Sequence, residues 1–279
     1  MAVDLHVHSS ASDGTDAPDL VVAKAAAFGL TALALTDHDT LSGVPAARGA
    51  ADPLPIELIP GVELSVDHAG VKIHMLAYFL EPIPGPLQDR LEALRIGRTV
   101  RNVRIVERLN ELGYPITMDD VLRQAAGDAV GRPHIADALV EAGAIENRSQ
   151  AFVNLLGDGG TAYVERDRLT AINAIELTKA SEGVASIAHP LTINTDAVTL
   201  RTIFGDLRDA GLAGIEAYYS EHSPAIRTQL AAVASDLDLV ATGGSDYHGL
   251  GRPGLQIGSG RGDLVVPDSS LEELRERRP

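Results

Sequence analysis

The run Ala32-Leu33-Ala34-Leu35 is apolar at every position and stops abruptly at Thr36-Asp37-His38-Asp39-Thr40. A strand without a polar face is buried on both sides, which is the habit of parallel sheets covered by helices. The pattern recurs along the chain. Comparable short runs stand at 3–7, 56–59, 71–78, 184–188, 214–219 and 239–242. Between several of them lie segments with helical spacing. Residues 18–29 place Leu20, Val21, Ala25 and Phe28 on one stripe with Gly29 as a stop, and further helices are predicted near 43–51 and 200–210. Ser270 and Glu273 have capping-box spacing, which predicts a terminal helix. Seven strands alternating with helices imply a parallel α/β layout. From about 84 to 166 the strand pattern breaks and only helical periodicity and turn signals remain. The expectation is an α/β chain with a barrel made of 1–83 and 167–279, interrupted by a mainly helical insertion at 84–166. Outside the insertion too little chain remains for an eight-stranded barrel of about 250 residues, so seven strands fit better.

Polar residues collect at the carboxyl ends of these runs, where parallel α/β folds place their sites. His6 and His8 alternate with Leu5 and Val7, so both imidazoles leave one face of the first strand. Asp13, His38, Glu63, His74, His189, Asp246 and His248 follow at or near other strand ends. A single histidine is usually a surface or hydrogen-bonded residue; this constellation points instead to metal ligation. The chain has no Cys, which leaves imidazole and carboxylate as its strong ligands. Nine such groups exceed the needs of one tetrahedral ion. They predict two or three divalent ions, and the donor set admits manganese, iron or zinc.

A formal charge of -16 opposes binding to long duplex nucleic acid, whose affinity comes from cations displacing counterions. A small anion is different. Bound ions outweigh the charge of Asp13, Glu63 and Asp246, so the site favours an anionic substrate. No apolar run approaches the roughly 20 residues of a membrane helix, and the first residues begin a strand rather than a signal segment. The expectation is a cytoplasmic enzyme without a membrane partner. Oligomeric state is not fixed by any feature of the sequence.

The motifs DLHVHSSASDG, LTDHDT, GVE, IHMLAY, AHP and GSDYHG, in this order, resemble the polymerase and histidinol phosphatase (PHP) family. That resemblance implies a distorted seven-stranded barrel with a trinuclear metal centre. It implies His6, His8, Glu63 and Asp246 on one metal, with Glu63 bridging to a second that is also held by His74 and His189. Asp13, His38 and His248 hold the third. Glu63, Asp246, His189 and His222 are the expected catalytic residues, with His189 or His222 assisting the leaving group after attack by a metal-bridging hydroxide. Asp4, Asp37 and Asp39 are expected to orient imidazoles, and Glu216 and His222 in GIEAYYSEHS to form a wall of the site. His68 is expected to be exposed and uninvolved. The helical insertion with its GRPHIA segment resembles the branch that contains 3',5'-nucleoside bisphosphate phosphatases. The implied activity is hydrolysis of such a bisphosphate to the 5'-monophosphate. Alternatives are 5'-to-3' trimming of short RNA, histidinol-phosphate hydrolysis, or a noncatalytic scaffold, which the complete ligand set disfavours. A zinc deaminase is excluded, because its P-C-x-x-C signature needs Cys.

The insertion adds its own signal. Leu87, Leu91, Leu94, Ile105, Leu109 and Leu112 advance in steps of three and four, and Arg98 and Arg101 fill the two missing steps. Two readings stand. The arginines pair with local acids, or the helix is rotated so that Val100, Val103 and Val106 pack; alternatively, they face an anion. Pro133 suits a first helical turn, which places Arg132 and His134 at a helix N-terminus that attracts anions. Arg98, Arg101, Arg132 and His134 are therefore the candidate grip on a second, nonreacting phosphate.

Overall fold

The computed structural model describes residues 2–127, 129–193 and 195–279. β1 (Val3–Val7) leads to α1 (Pro18–Phe28), which Gly29 ends in the left-handed region at φ 91°. β2 (Ala32–Leu35), α2 (Val44–Ala51), β3 (Glu57–His68) and β4 (Val71–Tyr78) follow. The next segment is helical: α3 (Pro86–Glu111), α4 (Met118–Arg123), α5 (Arg132–Glu141) and α6 (Arg148–Ala151), then a π-helical turn at Phe152–Leu156. β5 (Leu169–Thr170), α7 (Ala171–Ala180), β6 (Val184–Ile187), α8 (Ala197–Asp209), β7 (Gly214–Tyr219), α9 (Pro224–Asp236), β8 (Val240–Gly244) and α10 (Asp268–Glu276) complete the chain. Among the described residues no helix is long and apolar enough to cross a membrane.

Neighbouring strands run β1-β2-β3-β4-β6-β7-β8, with β5 beside β3 off this path. The seven-strand path is a nearly closed barrel. The Asp246 N–H donates to His6 O at 2.8 Å and the His8 N–H to Tyr247 O at 2.9 Å, joining the segment after β8 to β1. Gly244 allows that approach, since a Cβ there would lie 2.4 Å from the His6 nitrogen.

The layout departs from the all-parallel expectation at β4, which is antiparallel to both β3 and β6. The cause is local. β3 does not stop near Ile59 but continues to His68, then turns through Ala69 and Gly70, both at positive φ, straight into β4. A two-residue turn can only join antiparallel strands. Two smaller expectations also change. α10 starts at Asp268 rather than at a Ser270 cap, because the Ser270 hydroxyl donates to Ala241 O at 2.7 Å. His68 is half-buried beside Asp206 of α8, 3.6 Å away, and stays outside the histidine cluster.

α3 spans two cores. Leu87, Leu91 and Leu94 pack with barrel residues such as Val62, Met75 and Ile187, whereas Ile105, Val106 and Leu109 pack with Ile135, Leu139 and Leu156. Arg98, Arg101 and Asn102 are buried between those two cores. Val100 and Val103 are exposed, so the rotated helix is not adopted, although Val106 joins the buried face. Leu112 is exposed because the helix ends at Glu111, before the stripe completes its last step.

Candidate metal centre

Alternation in β1 sends Leu5 and Val7 into apolar cores and His6 and His8 into the barrel mouth, all fully buried. Glu63, in β3, is the hub. Its Oε2 lies 3.3 Å from His6 Nε2, 3.1 Å from His8 Nε2 and 3.3 Å from His38 Nδ1. Its Oε1 lies 2.9 Å from His74 Nδ1 and 3.0 Å from His189 Nε2. Asp246 Oδ1 is 3.5, 3.4 and 3.3 Å from ring nitrogens of His6, His8 and His248. Asp13 completes the network, 3.3 Å from His248 Nε2 and 3.8 Å from both His8 Nδ1 and His38 Nε2. The structure thus brings all nine expected ligands into one connected cluster. Asp246 and His189 hold φ of 54° and 26°, in the left-handed region that costs a non-glycine residue about 1–3 kcal/mol. Tight surroundings fix such backbones, and they concentrate at functional sites.

The donor set fits divalent ions. His6 Nε2 and His8 Nε2 face each other at 3.1 Å, and the buried Nδ1 atoms of His8 and His38 have no hydrogen-bond partner. Three groups of atoms converge closely enough to share an ion: His8, Asp13, His38 and His248; His6, Glu63 and His189; and His6, His8 and Asp246. These sets differ in detail from the expected division. His8 joins the Asp13 group as well, and His74 meets Glu63 without entering any of the three.

Without ions the carboxylates hold protons on the imidazoles. Burial opposes charge on His8, but Asp246, Glu63 and Asp13 outweigh it and raise His8 to about 10. His6 is likewise raised, against its burial, by Glu216, Asp246 and Glu63. His38 goes the other way, since burial dominates and pushes it down to about 3. Burial disfavours the Glu63 carboxylate, yet His38, His74 and His6 keep it well below the usual range. Metal ligation needs neutral imidazole, so loading must expel these protons. Calorimetric titration of Mn²⁺ into chelator-stripped protein, in two buffers of different ionisation enthalpy, is expected to show at least one proton released per chain. Affinity should rise between about pH 7 and 9. Loading without proton release would contradict this charge balance.

The acids expected to orient imidazoles do other work. Asp4 accepts from the backbone N–H groups of His6, Ser245 and Gly258, at 3.3, 2.9 and 2.8 Å, and pins strand ends together. Asp37 accepts from Ser9 N, Ser9 Oγ and Ser12 Oγ at 2.8, 2.7 and 2.6 Å, fixing the loop that carries Asp13. Asp39 faces Arg98 and Arg166. The imidazole partner is instead Glu216, which is fully buried in β7. Its Oε1 accepts from His6 Nδ1 at 3.0 Å and its Oε2 from the His189 N–H at 2.6 Å, so one carboxylate ties two strand ends. Asp246 has outer support too: Tyr219 donates to its Oδ2 at 2.9 Å, and Arg252 pairs with the same oxygen. His222 does not line the cleft. Its Nδ1 faces Ala217 O at 3.2 Å, its Nε2 has no partner, and the Tyr219 ring packs against both His222 and His189.

The cleft over the cluster has a volume of about 480 Å³ and is lined also by Pro133, Arg148, Phe152 and Arg252. A second lobe of about 280 Å³ shares His74, Phe152 and His189 with it and adds Lys72, Arg132 and Arg168. Of the four residues expected to grip phosphate, Arg98 meets Asp39, and Arg132 donates to Leu156 O at 2.8 Å with Asp158 3.7 Å away. His134 accepts the Gly131 N–H at 2.9 Å on Nδ1 and so caps its own helix. Arg101 has Asn102 Oδ1 at 2.9 Å. Arg166 was not among the expected residues; it is a return-segment arginine whose role depends on a contact with Asp39, 127 residues away in the chain.

A nearly closed barrel whose mouth gathers imidazoles around shared carboxylates fits the class of the metal-dependent phosphoesterases. The chain belongs to the PHP domain family, whose model matches residues 4–188. It is 37% identical over 245 residues to a 5'-3' exoribonuclease of Haemophilus influenzae, covering 88% of this chain and 89% of that protein. It is 31% identical over 257 residues to a 3',5'-nucleoside bisphosphate phosphatase of Chromobacterium violaceum, covering 92% and 90%. A solved structure described as an amidohydrolase from Chromobacterium violaceum, with bound sulfate and no metal, superposes at a TM-score of 0.89. Its identity is 30%, with 99% of this chain and 97% of that chain covered.

Proposed function

We propose that this chain removes the 3'-phosphate of a nucleoside 3',5'-bisphosphate and holds the other phosphate against its insertion. The observation that carries this reading is Arg101. It is 6% exposed, its Nε has no partner, and among the described residues no carboxylate lies within ion-pair distance of it. Burial and the guanidinium groups of Arg98, Arg166 and Arg132 push it down to about 8. The Nε of Arg98 is also buried and unpartnered. Asp39 is the inner acid of this group, and an anion from outside would complete its charge balance.

When bound, divalent ions supply an activated water and positive charge for the phosphoryl oxygens. The chain supplies the frame. Glu63 and Asp246 hold the imidazoles of several strands together, Glu216 fixes His6, and the arginines align the substrate through its distal phosphate. His189 has both ring nitrogens engaged, with Glu63 at 3.0 Å and Thr192 at 2.8 Å, which favours a ligand over a proton donor. A second reading, 5'-to-3' trimming of short RNA, draws on the Haemophilus influenzae relative and on the continuation of the cleft into a second lobe.

Phosphate release from bisphosphates, monophosphates, short oligonucleotides and histidinol phosphate separates these readings. The bisphosphate is expected to exceed the 3'-monophosphate at least tenfold in kcat/KM. Arg101→Ala and Arg132→Ala should erode that ratio, Arg101→Ala by on the order of a hundredfold, without changing metal content. Equal efficiency on both substrates in the parent would refute the phosphate grip. An inert bisphosphate beside a trimmed oligonucleotide would establish the second reading.

A further inference from the structure

We infer that Phe152 is the platform on which the substrate's nucleobase stacks, an inference that rests on the nucleotide reading above. Among the described residues lining the metal cleft, Phe152 and Pro133 alone have apolar side chains, in a surface otherwise built from His, Asp, Glu, Arg, Ser and Gly. Phe152 also lines the second lobe, so its ring stands where the two spaces meet, between the metal cluster and Arg132. A molecule with one phosphate at the cluster and another at Arg132 passes this ring. Phe152 has a share in the insertion core, packing beside Leu155 and Leu156, but it is only partly buried there.

The backbone holds the ring in that place. Phe152 begins the π-helical turn, a distortion that is frequent at functional sites. The turn is closed by the Gly157 N–H donating to Phe152 O at 2.8 Å. Gly157 is required there, because a Cβ would lie 2.3 Å from that oxygen. The Arg132 guanidinium sits 5.7 Å from the ring centre and is anchored to Leu156 O, at the other end of the same turn. A cation against an aromatic ring adds to its affinity for a stacked base. Recognition should tolerate different bases. Arg148, the neighbouring donor, has its fork committed to Asp137 and Gly251 O, and a stacking surface accepts every base through its π-face.

The test compares kcat/KM for a nucleoside 3',5'-bisphosphate with that for 1-deoxyribose 3,5-bisphosphate, which carries both phosphates and no base. The parent is expected to favour the nucleotide by about tenfold to a hundredfold, with purines and pyrimidines within a few-fold of each other. Phe152→Leu keeps apolar packing against the core but removes the ring, and should collapse the ratio towards one; Phe152→Tyr should keep it. A binding readout is available as well, because the chain has no Trp to mask a fluorescent base. 2-Aminopurine nucleoside bisphosphate should lose emission on binding the parent and keep it on binding Phe152→Leu. Equal turnover of the two bisphosphates in the parent, or an unchanged ratio in Phe152→Leu, overturns the platform. Loss of the preference for bisphosphate over monophosphate would instead strike at the nucleotide bisphosphatase reading, so the two failures are distinguishable.

Discussion

Glu63→Gln is expected to lower kcat/KM at least a thousandfold while the protein stays folded. Glu63 is 1% exposed and has ring nitrogens of five histidines within 3.3 Å, three on one oxygen and two on the other. Both oxygens must therefore act as acceptors or as ligands. An amide has one acceptor oxygen and one NH₂ donor, so His74 and His189, or else His6, His8 and His38, would face a group of the wrong polarity. It also removes the negative charge that lets one side chain serve two cations. Shape and volume barely change, and the barrel around Glu63 is built from Val62, Leu64 and Val66, so the fold should survive. Metal analysis should show fewer ions per chain than in the parent, and thermal unfolding should remain cooperative. Activity within a few-fold of the parent would show that Glu63 is not the hub of the centre.

Much of the frame could be read from short runs. β2 and β6 are buried at every position, as their largely apolar runs require, and polar residues follow within two positions, Thr36 directly after β2 and His189 after Ala188. Strand direction could not be read that way. Residue alternation is the same in either direction, so β4 became antiparallel only through the turn at Ala69 and Gly70. Most of the nine cluster residues were legible because they stand at or near a strand end, where topology alone brings them together; Glu63 and His74 lie within β3 and β4 and were legible only from the motifs GVE and IHMLAY around them. Their supports were not. Glu216 meets His6 across 210 residues of chain, and nothing beside Glu216 in sequence says which imidazole it will face. For the same reason Asp39, next to His38, reads as a partner of imidazoles yet turns to arginines of the insertion. Asp39 sits at a φ of 55°, and a backbone angle of that kind leaves no mark on a sequence without glycine at the position.

Asp39→Asn is expected to cost about 3–5 kcal/mol of stability at pH 7, a large share of what a domain possesses. Asp39 is fully buried, and its Oδ2 receives Arg98 and, at 3.1 Å, Arg166, whose side chains are 9% and 5% exposed. Removing the charge leaves both guanidinium groups beside buried Arg101 with no inner counter-ion, and removal of one partner is the costly way to break a buried pair. The pH dependence follows from the carboxyl group. Burial alone would raise it, but Arg98 and Arg166 hold it far below its ordinary value of 3.8. A carboxylate depressed in the folded state contributes its full stability above the ordinary value, and loses it as pH falls towards the folded one. The gap between parent and variant in urea unfolding should therefore be constant near neutrality and begin to close below about pH 4. Adding Arg98→Met to the variant should recover part of the loss, because it removes one of the two stranded cations. Equal urea midpoints for parent and Asp39→Asn at pH 7 would mean that Asp39 does not anchor the insertion to the barrel. Phosphate added to the variant gives a last check on the same charges. An anion that binds the folded arginine group should raise its midpoint more than the parent's, since the variant lacks the acid that competes for those cations.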